Sequence, residues 1–290
     1  MKILFGETKP GGQLLAFMLI FVLLFIISMG IAMLPVMAGG NSDTLAVQAL
    51  SQIVAYGGTT VCFAFMFCDH PRGFLKVGLV NGFGIKFAGG VMVLILMVPF
   101  TDWLVVINDS WHFPQSMALI EDKMRDLGES SRQLLESLLM REEIGALVLN
   151  IVVLALLPAL CEELFFRVGL QQILGRCVRN EHVAIWLTAV IFSLFHLDFF
   201  AFLPRFVLGL ALGYVFYYGG SIWLNALMHF INNAIVVVLH FLACRGIVDI
   251  QTTESVEFPL FIVFGCLVAA LLVFWFLFLK QGFLRNKKQS

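Results

Sequence analysis

The chain has 290 residues, of which 60% are apolar and only 13% are charged. A soluble domain is about a quarter charged and under half apolar, and the mean hydropathy here is +0.96. This composition excludes a disordered chain, a nucleic-acid binder that relies on a basic surface, and an ordinary cytosolic enzyme. The net charge of −1 does not identify a class of binding partner, because the few charges are concentrated in particular segments of the chain. The composition predicts that lipid is the main solvent of this protein.

Long apolar runs follow one another along the chain and predict membrane-spanning helices. A spanning helix needs about 20 mostly apolar residues, whereas the strands of a membrane barrel are short and alternate. We therefore expect an all-α, polytopic membrane helix bundle of about eight transmembrane helices. The predicted spans are Leu14–Met37, Thr44–Cys68, Val77–Phe100, Ile144 to about Leu174, Val183–Leu197, Arg205–Tyr218, Ser221–Leu242 and Phe258–Leu279.

The first apolar run is interpreted as a retained span rather than a cleaved signal peptide. A signal peptide has an apolar stretch of about 7–15 residues, and this run is longer. The small-residue pattern that follows it, Val36-Met37-Ala38, is a weak cleavage site.

The distribution of Lys and Arg among the short loops predicts the orientation, because cytoplasmic loops are enriched in these residues. The loop Gly39–Asp43 has none. The alternate connections and both ends carry Lys2, Lys9, Arg72, Lys76, Arg176, Arg179, Lys280, Arg285, Lys287 and Lys288. We expect both termini in the cytoplasm, and the plasma (inner) membrane as the location if the cell is bacterial.

One charged stretch, Gln115–Glu143, is predicted to be an amphipathic helix that does not span the membrane. It holds seven acids and four bases, and its apolar residues recur at helical spacing, which gives the helix one apolar face. We expect it to lie along the membrane surface or to pack on the bundle. The simplest interpretation is a connecting helix without chemistry, and a lid over a site is the alternative.

An acidic pair and an arginine interrupt the fourth predicted span. An ionisable group at membrane depth costs about 2.5–3.5 kcal/mol and usually marks function. Glu163 and Arg167 are four residues apart on one helical face, so Arg167 can neutralise Glu163. Glu162 points about 100° away and is left without a local partner. A lone buried carboxyl suits a general base; the alternative is a single structural salt-bridge cluster of all three residues.

Two later spans also carry polar side chains at depth. His196 follows Phe192 near the end of the fifth span, and His229 and Asn233 lie on one face of the seventh. Taken singly, each of these side chains can be interpreted as a structural residue that forms a hydrogen bond between helices. Together with Glu162, they provide a carboxylate, two imidazoles and a carboxamide on three helices, which are the parts of a hydrolytic site. Lys86 and His240 are given no role.

These residues form three motifs that resemble a known family. Glu162-Glu163-x-x-x-Arg167, Phe192-x-x-x-His196 and His229-x-x-x-Asn233 resemble, in order and spacing, the signature motifs of the CPBP family. That family contains CAAX-prenyl-endopeptidase-like and bacteriocin-processing intramembrane proteases and is also called the Abi family. The similarity covers roughly Ala146–Leu242. One departure is Val168-Gly169, since family members often have a glycine directly after the arginine.

The resemblance implies an intramembrane endopeptidase that hydrolyses a peptide bond of a membrane-associated protein or peptide. It implies that Glu162 is the general base that activates water, and that His196 positions or polarises this water. His229 and Asn233 would donate hydrogen bonds to the oxyanion, with Glu163 and Arg167 as structural support. The chain then divides into an N-terminal region (1–143), a catalytic core (144–242), and a final span with a basic tail (243–290).

Other chemistries remain open at this point. Glu162, His196 and His229 can supply the three protein ligands of a zinc site, but we favour a mechanism without a metal or other cofactor. The HExxH motif is absent, and Asn233 is a poor zinc ligand. Serine chemistry through Ser193 and His196 is less favoured, because no activating acid accompanies that pair.

Other functions also remain open. The main alternative is a non-enzymatic immunity or scaffold protein that retains a protease-like core, and a proton-coupled transporter ranks last because no repeat is found. The expected partners are the lipid bilayer and a protein or peptide substrate, lipidated or membrane-embedded, and no nucleic acid. The six cysteines form no CxxC pair and are interpreted as small buried hydrophobic residues.

Overall fold

The computed structural model describes residues 8–39, 44–249 and 258–280. Lys2, most of the loop Gly39–Asp43 and the basic tail Gln281–Ser290, which contribute to the orientation prediction, lie outside the described residues. All regular structure in the described ranges is helical, without strands. The predicted all-α class is confirmed.

Within these ranges, seven helices are long and apolar enough to cross a membrane, which confirms the predicted polytopic bundle. A charged helix and a shorter apolar helix interrupt this series. In chain order the helices are α1 (Pro10–Met37), α2 (Thr44–Phe67), α3 (Phe83–Asp109), α4 (Ala118–Leu139), α5 (Ile144–Val178), α6 (Glu181–Leu194), α7 (Phe199–Gly219), α8 (Ile222–Cys244) and α9 (Leu260–Leu279).

The third span lies further along the chain than predicted. The expected range was Val77–Phe100, whereas α3 starts six residues later, at Phe83, and ends at Asp109. Gly82 adopts a left-handed φ of 70° and so sets the start of the helix. Thr101 and Asp102 do not end it, because a continuing helix satisfies the backbone groups that lipid leaves without hydrogen bonds.

The fifth predicted span, Val183–Leu197, is a helix of only 14 residues, α6. It begins where the Asn180 side chain accepts a hydrogen bond from the backbone N–H of Val183, an ordinary N-cap. It ends before Leu197, whose φ of 53° is left-handed. α6 is therefore shorter than the roughly 20 residues of a full span, and α7 begins at Phe199, six residues before the predicted start.

One end of the bundle gathers the basic connections, and we call it the basic end. The loop after α2 contacts the α7–α8 turn, because the backbone N–H of Ile222 donates to the carbonyl of Lys76 at 3.1 Å. The same loop contacts the end of α5, where Gln172 Nε2 donates to the Phe74 carbonyl at 3.0 Å. Arg176 reaches the start of α1 through Gln13. Lys76 and Arg176, which were predicted to share one side of the membrane, thus lie at one end of the described bundle.

The opposite end carries α4, and we call it the α4 end. Arg245, just after α8, donates to the Glu142 carbonyl at 3.0 Å, and Asn150 of α5 donates to the Leu138 carbonyl at 2.8 Å. α4 ends at Leu139, four residues before the predicted Glu143, because α5 begins at Ile144 and the chain must turn between them.

α4 packs on the bundle over only part of its surface. Gly128 lies against Asp198 in the α6–α7 turn, where an added Cβ would come within 3.2 Å of Oδ1. The Arg125 guanidinium lies 3.7 Å from the centre of the Phe200 ring. Other apolar side chains of α4 face outward: Leu119, Ile120, Leu127 and Leu134. The exposed apolar face fits a helix at the membrane surface.

The start of α4 is held by the Glu121 carboxylate. It accepts hydrogen bonds from the backbone N–H of Phe113 at 2.7 Å, from His112 Nδ1 at 2.9 Å and from Arg125 Nε at 3.1 Å. These donors, the Phe113 N–H first, lower the pKa of the Glu121 carboxyl from 4.5 to about 2. The docking of α4 is therefore coupled to the ionisation of one carboxyl group.

We expect acid to loosen the start of α4. Because the pKa of Glu121 is lowered in the folded state, its stabilisation is complete above pH 4.5 and is lost as the pH falls towards 2. An environment-sensitive fluorophore on Ser130→Cys should report this transition. In Glu121→Gln the signal should resemble the acid form at neutral pH, and the acid transition should disappear; a variant that keeps the wild-type transition would contradict the assignment.

Candidate active site

The acidic pair lies in an irregular stretch of α5. Glu162 and Glu163 end an α-helical turn, Leu157–Glu163, which is flanked by the wider π-helical segments Ile151–Leu156 and Leu164–Gln171. Pro158 lacks an N–H, so the Leu154 carbonyl loses its usual intrahelical donor. Such widened turns are frequent at functional sites, and here they flank the turn that carries the two carboxylates.

Glu163 is the centre of a buried charge network. Arg167 Nε donates to Glu163 Oε2 at 3.0 Å, and both side chains are fully buried. Two residues of α8 also bind this carboxylate: His229 through Nδ1 at 3.1 Å and Asn225 through Nδ2 at 3.3 Å. The network joins α5 to α8 and leaves Glu163 no access to the cavity described below.

Glu162 points elsewhere, into a cavity of about 400 Å³. The residue is 8% exposed. Its Oε2 lies 4.0 Å from His229 Nε2, which is too long for a hydrogen bond but short enough for one water molecule to bond to both atoms. Its Oε1 accepts a hydrogen bond from Gln52 Nε2 of α2 at 2.9 Å. The sequence predicted that Glu162 has no partner on its own helix. It has none on α5, but Gln52 of α2 donates a hydrogen bond to it.

The hydrogen bonds of His229 determine what its second nitrogen can do. Glu163 is paired with Arg167 and is therefore an acceptor, so His229 Nδ1 carries the proton in their contact. Nε2 faces Glu162 and the cavity. In the neutral ring Nε2 can only accept a hydrogen bond, and it becomes a donor when the ring is protonated.

His196 is held in a comparable way by the backbone. It lies in the turn after α6, and its Nδ1 is 2.8 Å from the Phe192 carbonyl. Because a carbonyl only accepts, Nδ1 carries the proton and Nε2 is left as an acceptor. The exposed ring of His196 lines the same cavity as Glu162 and His229. The cavity therefore receives a carboxylate and two imidazole nitrogens from three helices or their ends.

Asn233 and its neighbour Asn232 also line the cavity. Asn233 Oδ1 accepts a hydrogen bond from Asn232 Nδ2 at 3.3 Å, so Asn233 Nδ2 is the group that can donate to a bound molecule. Among the other residues considered from sequence, Ser193 donates to the Phe202 carbonyl at 2.7 Å and His240 is bonded to the Val236 carbonyl. Neither they nor Lys86 line this cavity.

The cavity lies in the half of the bundle towards the α4 end. Leu135 and Leu139 of α4 form part of its wall, and Gln48 lies one turn from the start of α2. Arg205, near the start of α7, lines both this cavity and a second one of about 250 Å³ that includes Asp102. Glu162 lies at the inner part of the main cavity, and the Glu163–Arg167 pair is buried behind it.

The donor set does not fit a metal ion well. Within residues 8–39, 44–249 and 258–280, no three His, Cys, Asp or Glu side chains are grouped closely enough to hold one. Zinc requires three protein ligands at about 2.0–2.2 Å in a catalytic site. We therefore derive no catalytic step through a metal.

Several residues around the site were not singled out from the sequence, among them Gln48, Gln52, Asn225 and Arg205. A signal was available for Gln52 and Asn225, since each is a carboxamide inside an apolar run, where an unpaired polar group is costly. Their partners were not readable, because helix rotation within the bundle is not encoded in local spacing.

Comparison with known proteins bears on the same part of the chain. Residues 144–235 match the protein family described as Type II CAAX prenyl endopeptidase Rce1-like. This segment is similar to that family, and we refer to it as the Rce1-like domain. It covers about a third of the chain, contains all three motifs and confirms the resemblance to CAAX-type proteases. No curated protein and no solved structure matches the chain.

The Rce1-like domain supports a membrane-embedded protease of CAAX type that acts on a protein or peptide. The hydrophobic helices and the domain together support an integral membrane protein.

The buried ion pair should be essential for stability. Arg167→Met leaves the Glu163 carboxylate buried without its cation, and we expect a loss of about 3–5 kcal/mol in the free energy of unfolding. Thermal unfolding in detergent would measure this loss. The matched control is Arg132→Met, which breaks an exposed pair with Glu129 and should change stability by less than about 1 kcal/mol. Equal effects of the two substitutions would refute the claim.

Proposed function

We propose that the chain is an intramembrane endopeptidase in which Glu162 activates water as a general base. The observation that carries the proposal is the placement of Glu162 on the wall of a cavity, with Oε2 4.0 Å from His229 Nε2. The Rce1-like domain independently supports proteolysis. A purely structural salt-bridge cluster would have no reason to hold one of its two carboxylates apart from the arginine.

The proposed reaction is a direct attack of water on the scissile carbonyl. Glu162 Oε2 takes a proton from the water, whose oxygen forms a bond to the carbonyl carbon. The C–N bond then breaks, and Glu162 returns the proton to the leaving amine nitrogen. The oxygen and one hydrogen of the water thereby enter the new carboxyl group, and its other hydrogen enters the new amine. No other reactant is consumed.

The remaining side chains act on charge and orientation. His196 Nε2 is an acceptor and orients the attacking water. Asn233 Nδ2 and the protonated form of His229 donate to the oxyanion that forms on the carbonyl oxygen. Glu163 and Arg167 hold the His229 ring through Nδ1 and keep Nε2 directed at the reacting atoms.

The proposed substrate is a protein or peptide segment that reaches the cavity from the bilayer. The Leu and Val side chains on the cavity wall fit apolar or lipidated residues, including a prenylated C-terminus. The cavity volume of about 400 Å³ lies within the range of ligand sites, so a short stretch of peptide fits.

Replacing the base should abolish cleavage. We expect Glu162→Gln to lower the rate by at least about 10²–10⁴-fold, because the amide cannot accept the proton of water. Membranes that contain wild type or variant would be compared by mass spectrometry of peptide termini. A quenched peptide ending in a farnesylated CAAX sequence, and its unlipidated twin, would give rates with and without chelator.

Glu143→Gln, an exposed acid at the start of α5, is the control and should retain full activity. Chelator should leave the wild-type rate unchanged. Full activity of Glu162→Gln would contradict the proposal. Loss of wild-type activity with chelator would show that a metal ion, rather than Glu162 alone, activates the water.

We also propose that the basic end of the bundle faces the cytoplasm, together with both termini. The short connections at this end carry Arg72, Lys76 and Arg179, and the charge rule favours such basic connections inside. In that orientation the α4 end and the cavity mouth lie on the other side of the membrane. The substrate then approaches from the membrane or from the non-cytoplasmic side.

Cysteine labelling in intact cells would test this orientation. In a background that lacks the six native cysteines, Ser130→Cys on α4 should react with a membrane-impermeant maleimide. Gly73→Cys at the basic end should react only after permeabilisation. Both positions are exposed, so accessibility on the protein does not distinguish them. The reverse pattern would place the cavity mouth in the cytoplasm.

A further inference from the structure

The contact between Gln52 and Glu162 joins the Rce1-like domain to a part of the chain outside it. Gln52 belongs to α2 and is 4% exposed. Its Nε2 donates to Glu162 Oε1 at 2.9 Å across 110 residues of sequence. A hydrogen bond to a charged acceptor is stronger than one between neutral groups. Residues 144–235 therefore do not contain every group that touches the Glu162 carboxylate.

Two further contacts fix α2 against α5 around this bond. Thr60 Oγ1 donates to the Leu164 carbonyl at 3.0 Å. At Gly57, an added Cβ would lie 3.3 Å from the Cys161 sulfur, so the two helices approach closely there. Gln52 lies in a π-helical segment of α2, Ser51–Gly57. The position of Gln52 is thus fixed by the packing of α2 on α5 and not only by its hydrogen bond to Glu162.

The hydrogen bond distinguishes the two oxygens of Glu162. Oε1 is occupied by the Gln52 amide, whereas Oε2 is the oxygen that lies 4.0 Å from His229 Nε2. A carboxylate that can rotate presents either oxygen to a water molecule, whereas a carboxylate bonded at Oε1 presents Oε2.

The hydrogen bond that the Gln52 side chain donates goes to Glu162. Gln52 Oε1 is buried and has no hydrogen-bond partner among the described residues. Leaving a buried carbonyl unsatisfied costs about 1–3 kcal/mol, and such groups in native structures call for an explanation. An apolar side chain of similar shape would avoid this penalty but would give Glu162 no donor.

We propose that Gln52 is a positioning residue. Its hydrogen bond to Oε1 of Glu162 leaves Oε2 as the oxygen that takes the proton from water. This inference rests on the proposed role of Glu162 in proteolysis. It adds that the N-terminal region supplies part of the catalytic geometry. Other titratable or charged groups around Glu162 are Tyr56, Cys161, Glu163, His196, Arg205 and His229.

The test replaces the donor while keeping the volume. With the farnesylated CAAX peptide as probe, Gln52→Met should lower kcat by roughly 10- to 100-fold. KM should change by less than about threefold, since Gln52 does not line the cavity that we propose binds the substrate. The acid limb of the pH profile should move to higher pH, because a hydrogen bond to the charged form of the base has been removed. Gln52→Glu, which has the same shape but no N–H, should also lose activity at neutral pH.

Gln171→Met is the matched control. Gln171 is equally buried, donates one hydrogen bond to the Gly213 carbonyl and likewise has an unpartnered Oε1, but it does not contact Glu162. Its kcat and pH profile should stay at wild-type values. If Gln52→Met does not accumulate in membranes, Gln52→Glu decides the question.

Wild-type kcat and an unshifted pH profile in the Gln52 variants, with Glu162→Gln inactive, would overturn the role of Gln52 and leave the protease proposal standing. Activity of Glu162→Gln would overturn both. A fall in unfolding temperature without any change in kcat would assign Gln52 to structure alone.

Discussion

The arrangement of this protein depends on an ion pair buried between α5 and α8. A carboxylate inside a bundle needs an opposite charge and further hydrogen bonds to offset the cost of its desolvation. Glu163 meets this condition with Arg167 on its own helix and with His229 and Asn225 on the facing helix. The pair therefore ties the rotation of α8 to that of α5. Every residue on the cavity side of these helices is then fixed relative to the others.

This constraint explains how adjacent glutamates acquire different environments. Neighbouring residues on a helix point about 100° apart, so a helix that buries Glu163 against α8 must turn Glu162 towards another neighbour. That neighbour is α2 on one side and the cavity on the other. Two glutamates that are adjacent in sequence thereby differ in environment. Glu163 is a fixed, buried acceptor, and Glu162 is the carboxylate that we propose as the base.

The sequence predicts the parts of the site better than their connections. Glu163 and Arg167 are local in sequence, so spacing alone predicts their ion pair. The contact between His229 and Glu163 spans 66 residues and depends on how α8 rotates, which no periodicity in such uniformly apolar helices reveals. The end of α6 was predicted three residues too late, because the largely apolar residues up to Leu197 continue the pattern past Leu194. Only the left-handed backbone at Leu197 and the turn that carries His196 end it.

In the proposed protease, the cavity must admit both water and an apolar substrate. Its wall carries the polar groups Glu162, His196 and His229 together with apolar side chains that include Leu135 and Leu139 of α4. α4 is amphipathic, and much of its apolar face is open to the outside of the bundle. The helix that forms part of the cavity wall thus also presents an apolar face outside the bundle. In the proposed protease, this one helix therefore borders both the proposed membrane surface and the cavity that holds the Glu162 carboxylate.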